Sequence, residues 1–242
     1  MNYSDITTRD ANPLKRWIQR RRFADALAVL ESVPGRSARL QVLDYGAGNG
    51  ELVRRIAGDR PVDAWVFEPS PHLMAEAREN LSGTPSVTFA DTVEGLPAAA
   101  FDVVYCLEVL EHLPDEQVRV VLGQLQRLLR PGGTAIIGVP HELFLPALVK
   151  GAFRALRRYG DFDTRPRHIL AAALGRPPAT RPLSEIAPGL PYHFHHLGFD
   201  FRALERTLRL GFDVRRKWFS PVPLLDLVLN SEVYFLLTTR PP

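Results

Sequence analysis

The run Asp44-Tyr45-Gly46-Ala47-Gly48-Asn49-Gly50 closes an apolar stretch, Val42-Leu43, and leads into Leu52, Val53 and Ile56 at helical spacing. Glycine has no Cβ, so alternating glycines permit a tight turn and let a ligand lie against main chain that another side chain would shield. Glu68 ends the next apolar run, 24 positions after Asp44. In a doubly wound sheet that places an acid beside a bound ribose, where a carboxylate accepts from both hydroxyls and repels a ribose phosphate. Asp91, in Phe89-Ala90-Asp91-Thr92, follows a third apolar run, and a carboxylate there can accept from an adenine amino group. A second set of residues suits proton transfer: His141, and Tyr192, His193, His195 and His196 in Leu190-Pro191-Tyr192-His193-Phe194-His195-His196. Histidine titrates near neutrality, which makes His141, His195 and His196 the candidate general bases. No Asp or Glu lies close to that cluster in the sequence, so a metal site is not expected.

The elements that must carry these residues follow from apolar periodicity. Residues 13–32 have helical spacing through Trp17, Phe23, Leu27 and Leu30, with Arg20, Arg21 and Arg22 between, and Pro34 with Gly35 ends that helix. Strands are predicted at 39–45, 62–68, 86–90, 101–107 and 134–140, and helices after the glycine loop, at 71–80 and at 115–129. Pro131-Gly132-Gly133 reads as the turn before the fifth strand. Strands alternating with helices predict βαβ units and a parallel sheet. From 141 to 197 the rhythm breaks into a proline- and arginine-rich stretch with no strand pattern, read as an inserted cap. A helix at 200–210, a strand at 212–220, the apolar connection 221–230 and a last strand at 233–240 complete the chain. The expected organisation is a helical extension (1–39), a ligand-binding core (40–140), a cap over the acceptor site (141–197) and a closing helix with two strands (198–242).

The chain has 242 residues, 45% apolar and 24% charged, which suits one compact domain. Its single cysteine, Cys106, excludes an intrachain disulfide and leaves no thiol cluster for zinc. With a polar first segment and no long apolar run, the expectation is a cytoplasmic protein. The net charge of +3 conceals an asymmetry: residues 41–140 hold 7 basic and 14 acidic side chains, and the flanks hold 23 and 13. Basic flanks suit an anionic partner, and Leu143–Arg158 could rest on lipid headgroups, its apolar residues preceding Lys150, Arg154, Arg157 and Arg158.

The three acidic segments resemble motifs I, II and III of the class I S-adenosylmethionine-dependent methyltransferases. Phe101–Leu113, ending Val109-Leu110-Glu111-His112-Leu113, is similar to that family's fourth-strand stretch, and Leu128-Leu129-Arg130-Pro131-Gly132-Gly133 to its turn before the fifth strand. The resemblance covers 40–140 closely and 198–240 as the final helix and strand pair. It implies a Rossmann-like α/β fold, with a seven-stranded, mostly parallel sheet whose last strand is antiparallel, and S-adenosylmethionine as cofactor. Asp44 would hold the cofactor's amino group, and the loop of Gly46, Ala47, Gly48 and Gly50 would lie against its methionine portion. Glu68 beside Pro69 would hold the ribose, Asp91 beside Thr92 the adenine, and the backbone of Cys106 and Leu107 would face the amino group and sulfonium. Where the family usually carries an apolar side chain after the second-strand acid, this chain has Pro69 and Ser70. His112 reads as structural. Methyl transfer is an in-line displacement from an activated sulfonium, so the protein chiefly aligns the acceptor and, for a hydroxyl, removes a proton. A small or medium-sized acceptor, anionic or lipid-linked, is expected, with oxygen favoured by the histidines and with peripheral membrane contact open. Two alternatives remain at this stage. One is a nicotinamide-dependent oxidoreductase, opposed by the Gly-x-Gly-x-Gly spacing and the lack of Tyr-x-x-x-Lys; the other is a cofactor-binding module without an acceptor site. A nucleic-acid acceptor is not expected, since neither an appended RNA-binding module nor an Asn/Asp-Pro-Pro-Tyr motif is present.

Overall fold

The computed structural model describes residues 13–32, 39–158, 160–187, 189–222 and 230–240. In chain order the elements are α1 (Pro13–Leu27), β1 (Leu40–Tyr45), α2 (Glu51–Asp59), β2 (Val62–Phe67), α3 (Pro71–Asn80), β3 (Val87–Ala90), β4 (Phe101–Leu107) and α4 (Asp115–Leu128). There follow β5 (Leu129–Pro140), α5 (Phe144–Ala155), α6 (Pro166–Ala173), β6 (Ser184–Ala187), β7 (Leu190–Tyr192), α7 (Phe201–Gly211), β8 (Phe212–Ser220) and β9 (Glu232–Thr239).

Seven strands form one sheet in the order β3-β2-β1-β4-β5-β9-β8. β1, β2, β3, β4 and β5 run parallel, and β9 inserts antiparallel between β5 and β8. Alternate side chains of each strand feed opposite layers. From β4, Val104 and Cys106 join the layer of α4 and α7, with Leu122, Leu125, Phe201 and Leu208; Val103 and Tyr105 join that of α1, α2 and α3, with Ala26, Val53, Ile56 and Met74. A sheet covered on both faces needs continuous apolar strands, which is why Val42-Leu43 and Phe101–Leu107 are so uniformly nonpolar. Local sequence starts the helices: Ser70 accepts from Leu73 N at 3.5 Å with Pro71 in the first turn, and Asp200 accepts from Arg202 N at 2.9 Å. Winding reverses direction between β1 and β4, and it is outside the carboxyl ends of strands at such a reversal that open α/β sheets bind ligands.

Three local expectations are corrected. Pro131-Gly132-Gly133 is not a turn ahead of the strand but an extrusion within β5, since Phe101 pairs with Leu129 and Val103 already with Thr134. Gly132 holds φ +77°, and a Cβ at Gly133 would meet the carbonyls of Arg130 and Phe101 at 2.9 Å. The opening helix stops at Leu27 and continues as a 3-10 turn, Ala28–Ser32. Residues 141–197, expected without strands, contain the β6–β7 hairpin. The helix-ending Pro34 and Gly35, and most of the 221–230 connection, lie outside the described residues.

α5 and α6 meet at Gly151, where a Cβ would come within 2.7 Å of Ile169, and they enclose a small core of their own: Ala147, Ile169, Ala172 and Leu197. Buried Glu142 anchors the unit, accepting from Lys150 Nζ at 3.1 Å and Arg154 Nη2 at 2.9 Å, while Asp163 accepts from Arg158 Nη2 at 3.0 Å. Three of the four cations expected to form a basic outer face are therefore bound inward. The face of α5 left to solvent is apolar: Leu145, Leu148, Val149, Phe153 and Leu156 are exposed.

Candidate functional site

A cavity of about 300 Å³ opens at the carboxyl ends of β1 and β4. Asp44, Gly46, Ala47, Gly48 and Leu107 line it together with Arg22, Phe23, Asn49, Glu51, Leu52, Glu108, Gly138 and Tyr234. Gly46, Gly48 and Gly50 all take positive φ, at 78°, 55° and 75°. Added Cβ atoms at Gly46 and Gly50 would strike Val109 Cγ2 at 2.5 Å and Leu81 Cδ1 at 2.6 Å, so conformation and space both require glycine here.

The loop's amide groups are already engaged. Gly46 N and Ala47 N donate to Phe67 O at 2.8 and 3.0 Å, Gly50 N donates to Ala47 O at 2.9 Å, and Gly48 N donates to Glu68 Oε2 at 2.9 Å. Glu68 Oε1 accepts from Ser70 N at 2.9 Å. Glu68, buried at the end of β2, thus braces the glycine loop. Asp44 is 3% exposed, and its carboxylate has no hydrogen-bond partner among the described residues. Burial, with the Glu68 carboxylate nearby, pushes Asp44 up to about 7. A buried acid without a donor is costly, so it marks a place for a donor brought by a ligand.

Of the other predicted cofactor positions, Cys106 is buried in β4, whereas Pro69, Asp91 and Thr92 stand exposed at the rim beyond β2 and β3. Sequence reasoning missed Arg22, Phe23, Glu108 and Tyr234. Arg22 Nη2 reaches Glu108 Oε1 at 2.9 Å and Glu232 Oε2 at 3.5 Å, so one guanidinium joins α1, β9 and the end of β4. Although burial opposes ionisation, Arg22 holds Glu108 down to about 2, while burial drives Glu232 well above the usual carboxylate range. Glu108 itself has φ +56°, a left-handed conformation that a non-glycine residue adopts at some cost, of a kind common at functional sites.

The three candidate bases are not brought together. His141 is completely buried, its ring within 6.4 Å of Phe144, Phe201 and Phe219, and its Nδ1 donates to Asn230 O at 3.2 Å. Burial, aided by Lys150, pushes it down to about 4. His195 Nδ1 faces Asp163 at 3.3 Å within the cap. His196 lies over the turn after β4, its ring 4.8 Å from that of His112 and close enough to Glu108 to feel its charge. None of the three lines the cavity. The segment from Arg181 to His193 is fastened to this turn: His193 N donates to His112 O at 2.8 Å, Arg181 Nη1 to Glu111 O at 2.6 Å, and Tyr192 stacks on His112 at 4.2 Å.

A family model described as "Methyltransferase domain" matches residues 15–180, which include the glycine loop, Glu68, Asp91 and the turn after β4. The chain belongs to this methyltransferase family. The methyltransferase is 35% identical over 220 residues to the 27-O-demethylrifamycin SV methyltransferase of Amycolatopsis mediterranei, covering 84% of this chain and 77% of that one. It is 37% identical over 188 residues to the ubiquinone biosynthesis O-methyltransferase of Azotobacter vinelandii, covering 74% and 76%. Among solved structures, the magnesium protoporphyrin IX methyltransferase of Synechocystis with bound S-adenosylhomocysteine matches with a TM-score of 0.61 at 17% identity, over 96% of this chain and 89% of that one. The Burkholderia thailandensis 1,6-didemethyltoxoflavin N1-methyltransferase matches with a TM-score of 0.58 at 18% identity, over 98% and 84%. These likenesses bear out the Rossmann-like fold. The protein is an S-adenosylmethionine-dependent methyltransferase and an enzyme. Among the described residues no helix is long and apolar enough to cross a membrane.

Proposed function

We propose that the methyltransferase methylates an oxygen of a small or medium-sized acceptor held between the sheet and residues 141–197. The observation that carries this reading is its likeness, across about three quarters of the chain or more, to two relatives whose names specify O-methylation. The cavity fits the cofactor. Asp44 supplies the unpaired acceptor for its ammonium group, Arg22, held between Glu108 and Glu232, brings positive charge to the cavity wall near its carboxylate, and Gly46 to Gly48 offer the wall against which its methionine portion lies. Glu68 serves the ribose, with Pro69 beside it, and Asp91 with Thr92 serves the adenine at the open rim. The bound cofactor supplies a methyl group already activated for displacement. The chain's own work is to align the acceptor oxygen, exclude water and accept a proton. His196 is the best placed of the histidines for that last task, because it lies near enough to Glu108, on the cavity wall, to feel its charge; His141 is walled in by phenylalanines and His195 is held by Asp163.

The apolar face of α5, with Arg157 exposed just beyond its end and Arg165 and Arg167 exposed at the start of α6, supports an acceptor reached at an anionic bilayer surface. The test is to incubate the protein with methyl-labelled S-adenosylmethionine and hydroxylated aromatic acceptors, with and without a long alkyl tail. Label should enter as a methyl ether, faster for tailed acceptors in the presence of vesicles. Label found only as an N- or C-methyl product would overturn the reading.

A further inference from the structure

The His-x-His-His run has no acidic neighbour in sequence, but folding brings it one. Glu111 and His112, in the turn after β4, meet His196 so that one ligand atom of each lies within 4.8 Å of the others. Glu111 is 0% exposed, and neither of its carboxylate oxygens has a hydrogen-bond partner among the described residues. Its nearest cationic candidate is His112 Nε2, 3.6 Å from Oε1 and beyond hydrogen-bond reach. An acid so deeply buried with no donor is expensive to keep. His112 is oriented toward it: Nδ1 donates to His193 O at 2.8 Å, which leaves the Nε2 lone pair directed at the cluster. Metal-binding histidines are commonly oriented in this way, one nitrogen donating to a backbone carbonyl and the other left for the ion. Stacking of Tyr192 on the same ring fixes its plane.

The geometry points to a divalent transition-metal site formed by Glu111, His112 and His196 at the junction of sheet and cap. Two imidazoles and one carboxylate favour zinc, manganese, iron(II) or cobalt over magnesium or calcium, which prefer all-oxygen shells. Bonds of about 2.1 Å set tetrahedral ligand atoms about 3.4 Å apart, so the three must draw together by roughly 1 Å. His196 is only half-buried, on the chain leaving the cap, and its rotation supplies that closure. Three protein ligands leave a coordination position open, as in catalytic sites. With the ion bound, His196 is a ligand and not the base; on the reading that the acceptor is a hydroxyl, the open position would take its oxygen and ease the loss of its proton instead, and metal binding itself does not depend on that reading.

The test is to strip the protein with chelator, dialyse it and titrate it with Co²⁺, following visible d–d absorption, with Zn²⁺ competition to displace the bands. One equivalent per chain is expected. Glu111→Gln and His196→Ala should each abolish the bands, whereas His72→Ala, an exposed residue on α3, should retain them. Thermal unfolding and S-adenosylmethionine binding, read by calorimetry, establish that each variant is folded. Absence of a stoichiometric cobalt spectrum in the wild-type protein, or its persistence in folded His196→Ala and Glu111→Gln, overturns the site. Stoichiometric cobalt with no methyl transfer to any hydroxyl acceptor leaves the site standing and defeats the proposed function instead.

Discussion

Asp44 shows how one residue type takes its properties from its surroundings. Its carboxyl is held near pKa 7 by burial and by Glu68, against 3.8 for an ordinary aspartate. Because the folded value is raised, the neutral acid contributes stability that is fully present below about pH 4 and is lost as pH rises through 7, on the order of 4 kcal/mol at about 1.4 kcal/mol per unit. Asp44→Asn should therefore gain stability relative to the wild type between pH 5 and 8, as measured by urea unfolding. The ligand ammonium needs the ionised form, so S-adenosylmethionine should bind about tenfold more weakly at pH 6 than at pH 8, and Asp44→Asn should flatten that dependence. A pH-independent affinity in the wild type would show that Asp44 does not meet the ammonium. Asp44, the glycines and Glu68 were legible in the sequence because local chain geometry dictates their types. The bracing of Gly48 N by Glu68 was not, since it depends on β1 and β2 lying side by side.

At the scale of the element, α5 inverts what its sequence suggests. Lys150, Arg154 and Arg158 share a helical face, but buried Glu142 and Asp163 draw them inward, and the apolar row from Leu145 to Leu156 is left outside. A buried acid demands charged partners more strongly than an exposed leucine demands cover, which decides the helix's rotation. Leu148→Glu with Phe153→Glu should abolish co-sedimentation with anionic vesicles while changing stability by only about 0.5 kcal/mol, as exposed substitutions do. Failure of the wild type to sediment at low salt would leave the row without a bilayer role. Glu142 followed an apolar strand with no pattern to mark it, so its anchoring of the cap could not be anticipated.

Over the whole molecule, Arg22 ties the first helix to the carboxyl end of the sheet's middle, through Glu108 after β4 and Glu232 at the start of β9, which runs antiparallel and so begins at that same end. Breaking a buried ion group leaves uncompensated charge, so Arg22→Ala should cost about 3–5 kcal/mol in urea unfolding at neutral pH. Adding Glu108→Gln to that variant should recover part of the loss, since it removes the ionised acid that Arg22 compensates. Equal stability of all three proteins would show that the network contributes nothing.

The sequence by itself determined the alternation of strands and helices, the glycine loop and the order of the acidic positions along the sheet. These depend on periodicities of two and 3.6 and on the conformational needs of single residues. Tertiary structure decided what lies between elements distant in the chain: the reach of Arg22 into the cavity, the burial of His141 among Phe144, Phe201 and Phe219, and the meeting of Glu111 and His112 with His196. No local pattern encodes such meetings. They follow from how the sheet winds and how the cap is anchored upon it, and burial then sets the charge and partners of each group.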